Sequence, residues 1–134
     1  EKFIHSEITA GRTLQAEKLE NYWLDSNKRY YGEALTVDKE LASEWSRIPH
    51  FYTPFYVYKY ATGYSAATAF AASILNGEEG AVEKYLGFLH AGGSDYSLNI
   101  LKNAGVDLNT PQPVTVTLQK FAEKVSELKK LLGK

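Results

Sequence analysis

Residues 63–73 read GYSAATAFAAS. They close a longer segment, Pro54 to Leu75, with no second proline and no acidic residue. Alanine is the strongest helix former, and so little side-chain volume lets neighbouring helices approach closely. The segment therefore predicts a long helix from Pro54 to about Leu75, with its second half central and buried. Thr53-Pro54 reads as its N-cap and first position, and Asn76-Gly77 as its end.

The rest of the chain is punctuated in the same way. Phe3, Ile4 and Ile8 predict a helix stopped by Gly11. Thr13 reads as the N-cap of a helix over 14–31, with Leu19, Tyr22, Trp23 and Tyr30 on one stripe and Gly32 at its end. In VDKELASEWSRI, Asp38 reads as a cap, Leu41, Trp45 and Ile48 recur at helical spacing, and Pro49 stops the run. Ala81 to Leu89 and Tyr96 to Asn103 predict two shorter helices, the second capped by Ser94 or Asp95 and closed by Ala104-Gly105. The last helix, about 114–132, carries Leu118, Phe121, Ala122, Val125, Leu128 and Leu132 on one stripe, opposite Lys120, Glu123, Lys124, Glu127 and Lys130. The alternating Val114-Thr115-Val116-Thr117 runs straight into that stripe and is assigned to the helix. The predicted fold class is all-α, a compact multi-helix bundle, read as a single domain over 1–134.

With 134 residues, 44% hydrophobic and 23% charged, the chain has the composition of a globular domain large enough for its own core. A net charge of −1 gives no electrostatic basis for nucleic-acid or anionic-membrane partners. No apolar run reaches the ~18 residues that span a bilayer. There is no cysteine, hence no disulfide or thiol chemistry, which is compatible with a cytoplasmic location. No P-loop, GxGxxG or HExxH pattern is present, and His5, His50 and His90 are far apart in sequence. The chain contains no Met, and its opening EKFIHSEI reads as mid-helix without a cap, so a fragment of a longer chain is expected.

One stretch stands out chemically. PHFYTPFYVYKYATGY, residues 49–64, holds His50 and five tyrosines, half of the chain's ten. If the helix starts at Pro54, Tyr56 and Tyr60 share one face, and Phe55 and Tyr58 another. The tyrosines can be packing aromatics whose hydroxyls reach solvent or a backbone carbonyl. The other reading, which spacing alone favours less, has them line a cleft with His50, where a phenol donates a hydrogen bond to a developing oxyanion. Pro49 and Pro54 bracket a short turn able to hold His50 to Tyr52 in place.

IPHFYTPFYVYKYATGYSAA resembles the C-terminal region of oligoendopeptidase F enzymes, in the thimet oligopeptidase family of zinc metallopeptidases. FLHAGGSDYSLNILKNAGVDL and EKLENYWLDSNKRYYG resemble that family as well, so the likeness covers nearly the whole chain. It implies the C-terminal lobe of a larger helical metallopeptidase that hydrolyses short peptides in the cytoplasm. Zinc would belong to the full-length enzyme, bound by an upstream HExxH helix and a third ligand, with none of its ligands in this chain; Glu1 is not that ligand. The resemblance implies that His50 and Tyr58 act on the oxyanion, and that His50, Tyr52, Tyr56 and Tyr58 bind the peptide. The Gly92-Gly93 loop would be a mobile element near the cleft or an ordinary turn. Implied partners are the peptide substrate, the N-terminal remainder of the enzyme, and a second copy through an exposed apolar face. The alternative is a free-standing helical interaction module without a catalytic role.

Overall fold

A computed structural model describes residues 1–134. It contains six α-helices, two 3-10 segments and no strand, an all-α chain. Its contacts gather into two units, Glu1–Val57 and Tyr58–Lys134.

The first unit holds α1 (Lys2–Thr9), α2 (Ala16–Tyr31) and the 3-10 segments Lys39–Arg47 and Pro49–Tyr52. Gln15 stands at the N-cap of α2, so Thr13 does not cap it. Gly32 closes α2 at φ +70°, a conformation open to glycine at little cost. Asp38 does precede the next helix, but that helix is wound as 3-10 rather than α; the Leu41 N–H meets the Asp38 carbonyl at 3.2 Å, three residues back. The tighter winding aligns side chains three apart, Leu41 with Glu44 and Ala42 with Trp45, all four half-buried, and Ile48 follows the segment in an extended conformation. Aromatic contacts tie this unit together. Phe3 stacks on Tyr22 at 4.2 Å between ring centres, and Trp23 meets Phe51 edge-on at 5.6 Å. Glu7 is the only buried residue among 1–57. Its carboxylate accepts from Arg12 Nε at 3.0 Å and Lys18 Nζ at 3.3 Å, joining α1 to the start of α2. The indole N–H groups of Trp23 and Trp45 are buried without an acceptor.

The second unit holds α3 (Tyr58–Leu75), α4 (Ala81–Ala91), α5 (Ser97–Asn103) and α6 (Gln112–Leu131). The expected start of α3 at Pro54 is wrong by four residues. Phe55 has φ +58°, a left-handed conformation that a right-handed helix cannot include. Tyr56 therefore lies outside the helix, and neither the expected Tyr56–Tyr60 face nor the Phe55–Tyr58 face exists. The small-residue half of α3 is central, as the sequence requires: Ser65, Ala66, Ala69 and Phe70 are buried. Around them lie Ala104 and Val106, with Tyr85, Phe88, Leu101 and Leu108 packed alongside. Phe70 sits 5.4 Å from Tyr85 and 5.2 Å from Phe88, ring centre to ring centre. Tyr96, not Ser94 or Asp95, stands at the N-cap of α5; Asp95, one residue before it, accepts from the Tyr96 N–H at 2.6 Å. Val114 to Thr117 are helical. The apolar stripe of α6 exists but is largely uncovered: Leu118, Phe121, Leu128 and Leu132 are exposed, and Val125 is half-buried.

Candidate functional site

Pro49 starts a single 3-10 turn that carries His50, Phe51 and Tyr52. His50 is exposed at the surface of this turn. Six residues on, the half-buried Tyr56 returns to it, and the two rings lie 5.3 Å apart at 36°. The return is made by the turn Thr53-Pro54-Phe55-Tyr56, closed by the Tyr56 N–H on the Thr53 carbonyl at 3.3 Å. His50 and Tyr56 are thus brought together by the two prolines and the left-handed Phe55. Tyr52 is exposed too, but its hydroxyl donates to the Ser46 carbonyl at 2.6 Å. That bond braces the turn against the preceding 3-10 segment. Tyr58 opens α3 in the second unit with its side chain half-exposed.

Shallow concavities lie elsewhere. One runs along the 3-10 segment past Asp38, Glu40 and Arg47; another lies on α6 past Gln119, Glu123 and Lys130. Both are open and ringed by surface charges. Gly92 closes α4 at φ +52°, the role of a helix-ending glycine, followed by Gly93 in an exposed turn.

The strongest electrostatic perturbation is at Glu7. Hydrogen bonds from Arg12, aided by Lys18, hold its carboxyl at about 2, far below the usual carboxylate range, and in return raise the Arg12 value. Asp107 is also lowered, first by the Asn109 backbone N–H and then by Lys102. Neither carboxylate belongs to the aromatic turn. Glu7 is explained by its ion pairs, and Asp107 first by the turn hydrogen bond from Asn109 and then by Lys102.

No three His, Cys, Asp or Glu side chains are grouped to hold a metal ion. His5 lies against Phe55 and His50 against Tyr56, while His90 is exposed near the end of α4. The residues of this chain do not fit zinc, whose sites need three or four convergent N, O or S ligands.

Sequence reasoning missed the support of the turn. The Phe55 N–H donates to a carboxylate oxygen of Glu1, and the His5 ring stacks on the Phe55 ring at 5.0 Å and 17°. Fifty-four residues separate Glu1 from Phe55, and no local pattern announces such a pairing.

Residues 1–120 match peptidase family M3. The chain belongs to that family. Across its whole length this M3 chain is 47% identical to oligopeptidase PepF of Bacillus subtilis and 40% identical to a plasmid-borne oligoendopeptidase F of Lactococcus lactis subsp. cremoris. It spans 20% and 22% of those proteins, about a fifth of their length. A crystal structure of oligoendopeptidase-F from Enterococcus faecium is similar over 98% of this chain and 25% of that one, with a TM-score of 0.93 and 42% identity. The resemblance read from the aromatic stretch and the Gly-Gly-Ser segment therefore holds at the level of the family and of the fold. No helix of this M3 chain is long and apolar enough to cross a membrane.

Proposed function

We propose that residues 1–134 are the C-terminal helical part of a zinc-dependent, cytoplasmic oligoendopeptidase that hydrolyses short peptides. The observation that carries this is the similarity, over the whole of this chain and a fifth of its relative, to oligopeptidase PepF, joined to the family match. Within the whole enzyme this part supplies the side chains that grip the peptide, and the zinc ligands lie outside it. Alone it is inactive.

The role of each residue follows from its chemistry. His50 and Tyr58 face the scissile carbonyl. An imidazole N–H and a phenolic O–H can each donate to an oxygen that gains charge, and a donor aimed at the developing oxyanion accelerates the reaction more than it tightens binding. His50 and Tyr58 also bind the peptide, as do Tyr56, held against His50, and Tyr52, braced on Ser46. Flat, rigid side chains with few rotatable bonds lose little freedom when they do so.

Two features favour a part of a larger enzyme over a self-sufficient interaction module. Residues 1–57 bury no apolar side chain, and a unit of that size without its own apolar core depends on neighbouring surface. Along α6, Phe121 is 68% and Leu118 61% exposed, on the stripe that would otherwise face a core. The remainder of the peptidase covers these surfaces. In its absence they promote self-association.

A quenched-fluorescent peptide assay with zinc tests the proposal, using this chain alone and mixed with the remaining portion of the peptidase. Activity from the mixture only is the expected result. A stable complex that cleaves nothing contradicts the proposed role, and activity from the chain alone contradicts the assignment of the zinc ligands elsewhere.

A further inference from the structure

We propose that Glu1 and His5 are positioning residues that hold the His50–Tyr56 pair in its peptide-binding geometry; this rests on the function proposed above. Phe55 is the only non-glycine residue of the chain with positive φ. It occupies the third place of the turn Thr53-Pro54-Phe55-Tyr56, with proline in the second place. That is the type II pattern, whose third place ordinarily takes glycine because a Cβ there is crowded. A phenylalanine in such a place persists only where surrounding structure holds it.

The hold comes from the first turn of α1. The Glu1 carbonyl accepts the His5 N–H at 2.9 Å, so the two residues stand one helical turn apart on one face. Both side chains converge on Phe55. Glu1 takes its backbone N–H, a charge-assisted bond, and His5 covers its ring. Both contacts act on the residue immediately before Tyr56. If Phe55 relaxes to an ordinary negative φ, the chain direction at Tyr56 changes and its ring leaves His50. Neither Glu1 nor His5 need touch substrate.

The test uses the full-length peptidase carrying residues 1–134, with steady-state kinetics on a short peptide and a melting temperature for each variant. Glu1→Ala is expected to raise KM roughly tenfold, the scale of loss when binding groups shift by part of an ångström. Glu1→Gln keeps a carbonyl acceptor and is expected to restore most of that loss. Adding Phe55→Gly to Glu1→Ala is expected to restore part of it, because glycine adopts the turn without help. His5→Ala leaves the hydrogen bond in place and is expected to raise KM by a smaller factor, which keeps the proposal testable should Glu1→Ala not fold. A lowered melting temperature with KM unchanged in both Glu1→Ala and His5→Ala overturns it, as does a Glu1→Gln variant as impaired as Glu1→Ala. His50→Ala and Tyr56→Ala serve as references. If they raise KM while the Glu1 and His5 variants do not, the positioning role alone falls. If they too leave KM unchanged, the peptide-binding site itself falls, and the positioning role with it.

Discussion

Glu7 shows how one side chain can join two helices. Its carboxylate is buried and takes hydrogen bonds from Arg12 and Lys18 at once. These partners hold it at about 2, against an ordinary 4.5. Between those values the unfolded chain takes up a proton that the folded chain refuses. The stabilisation is therefore complete above the upper value and is lost as pH falls toward the lower one. Urea midpoints measured at pH 6, 4 and 3 should decline for the native chain, and more shallowly for Glu7→Gln. An identical decline in both contradicts this role for Glu7. Tyr52 is a milder case. Tyr52→Phe deletes the bond to the Ser46 carbonyl at an exposed position. A net hydrogen bond contributes about 0.5–1.5 kcal/mol, and solvent competes for this one, so the loss should lie near the low end, read from denaturant unfolding.

At the scale of the helices, α3 and α6 pack against each other but differ in how much they bury. Phe70 lies buried between Tyr85 and Phe88, and Phe70→Ala should cost about 3–5 kcal/mol, a lost ring plus the cavity it leaves. Ala66 is buried on the same helix, and Ala66→Leu should cost about 1–3 kcal/mol by overpacking. Phe121→Gln on the uncovered stripe of α6 should shift stability by no more than about 0.5 kcal/mol. Thermal melts of the three variants check that order. These contrasts show what was legible in the sequence. Helix existence was legible because glycines and prolines end the segments, and Gly32, Gly77 and Gly92 do close helices. The centrality of GYSAATAFAAS was legible because its small side chains leave few other uses for it. The start of α3 was not, since Thr53-Pro54 is a good local cap and the left-handed Phe55 that displaces it makes its contacts with Glu1 and His5, far away in sequence. The 3-10 winding of Lys39–Arg47 was hidden for a similar reason. The spacing of Leu41, Trp45 and Ile48 reads as α-helical, and nothing local announces the tighter winding that aligns Ala42 with Trp45 instead. The apolar stripe of α6 was legible, but its lack of cover was not, because periodicity does not say what lies opposite. Of the candidate site, the clustering of His50 with tyrosine was legible, and the His50–Tyr56 contact is present. The diversion of the Tyr52 hydroxyl to Ser46 was not, because it depends on the fold of the preceding segment.

Across the whole molecule, the two units are unequal. Every buried apolar residue belongs to 58–134. Local opening is easiest where few apolar contacts must break, so limited proteolysis should cut within 1–57 well before 58–134. That weak unit carries His50, Tyr52 and Tyr56, and Tyr58 begins the strong one. The peptide-binding role proposed for that turn, on a part that buries no apolar side chain of its own, accords with a chain spanning about a fifth of its relatives' length. The most direct measurement is kcat for peptide hydrolysis by the full-length peptidase carrying these residues, native against Tyr58→Phe, with equal zinc content in both. Removing one oxyanion donor should lower kcat by roughly a hundredfold to a thousandfold while KM changes little. An unchanged kcat in the Tyr58→Phe enzyme contradicts the role assigned to this part of the chain.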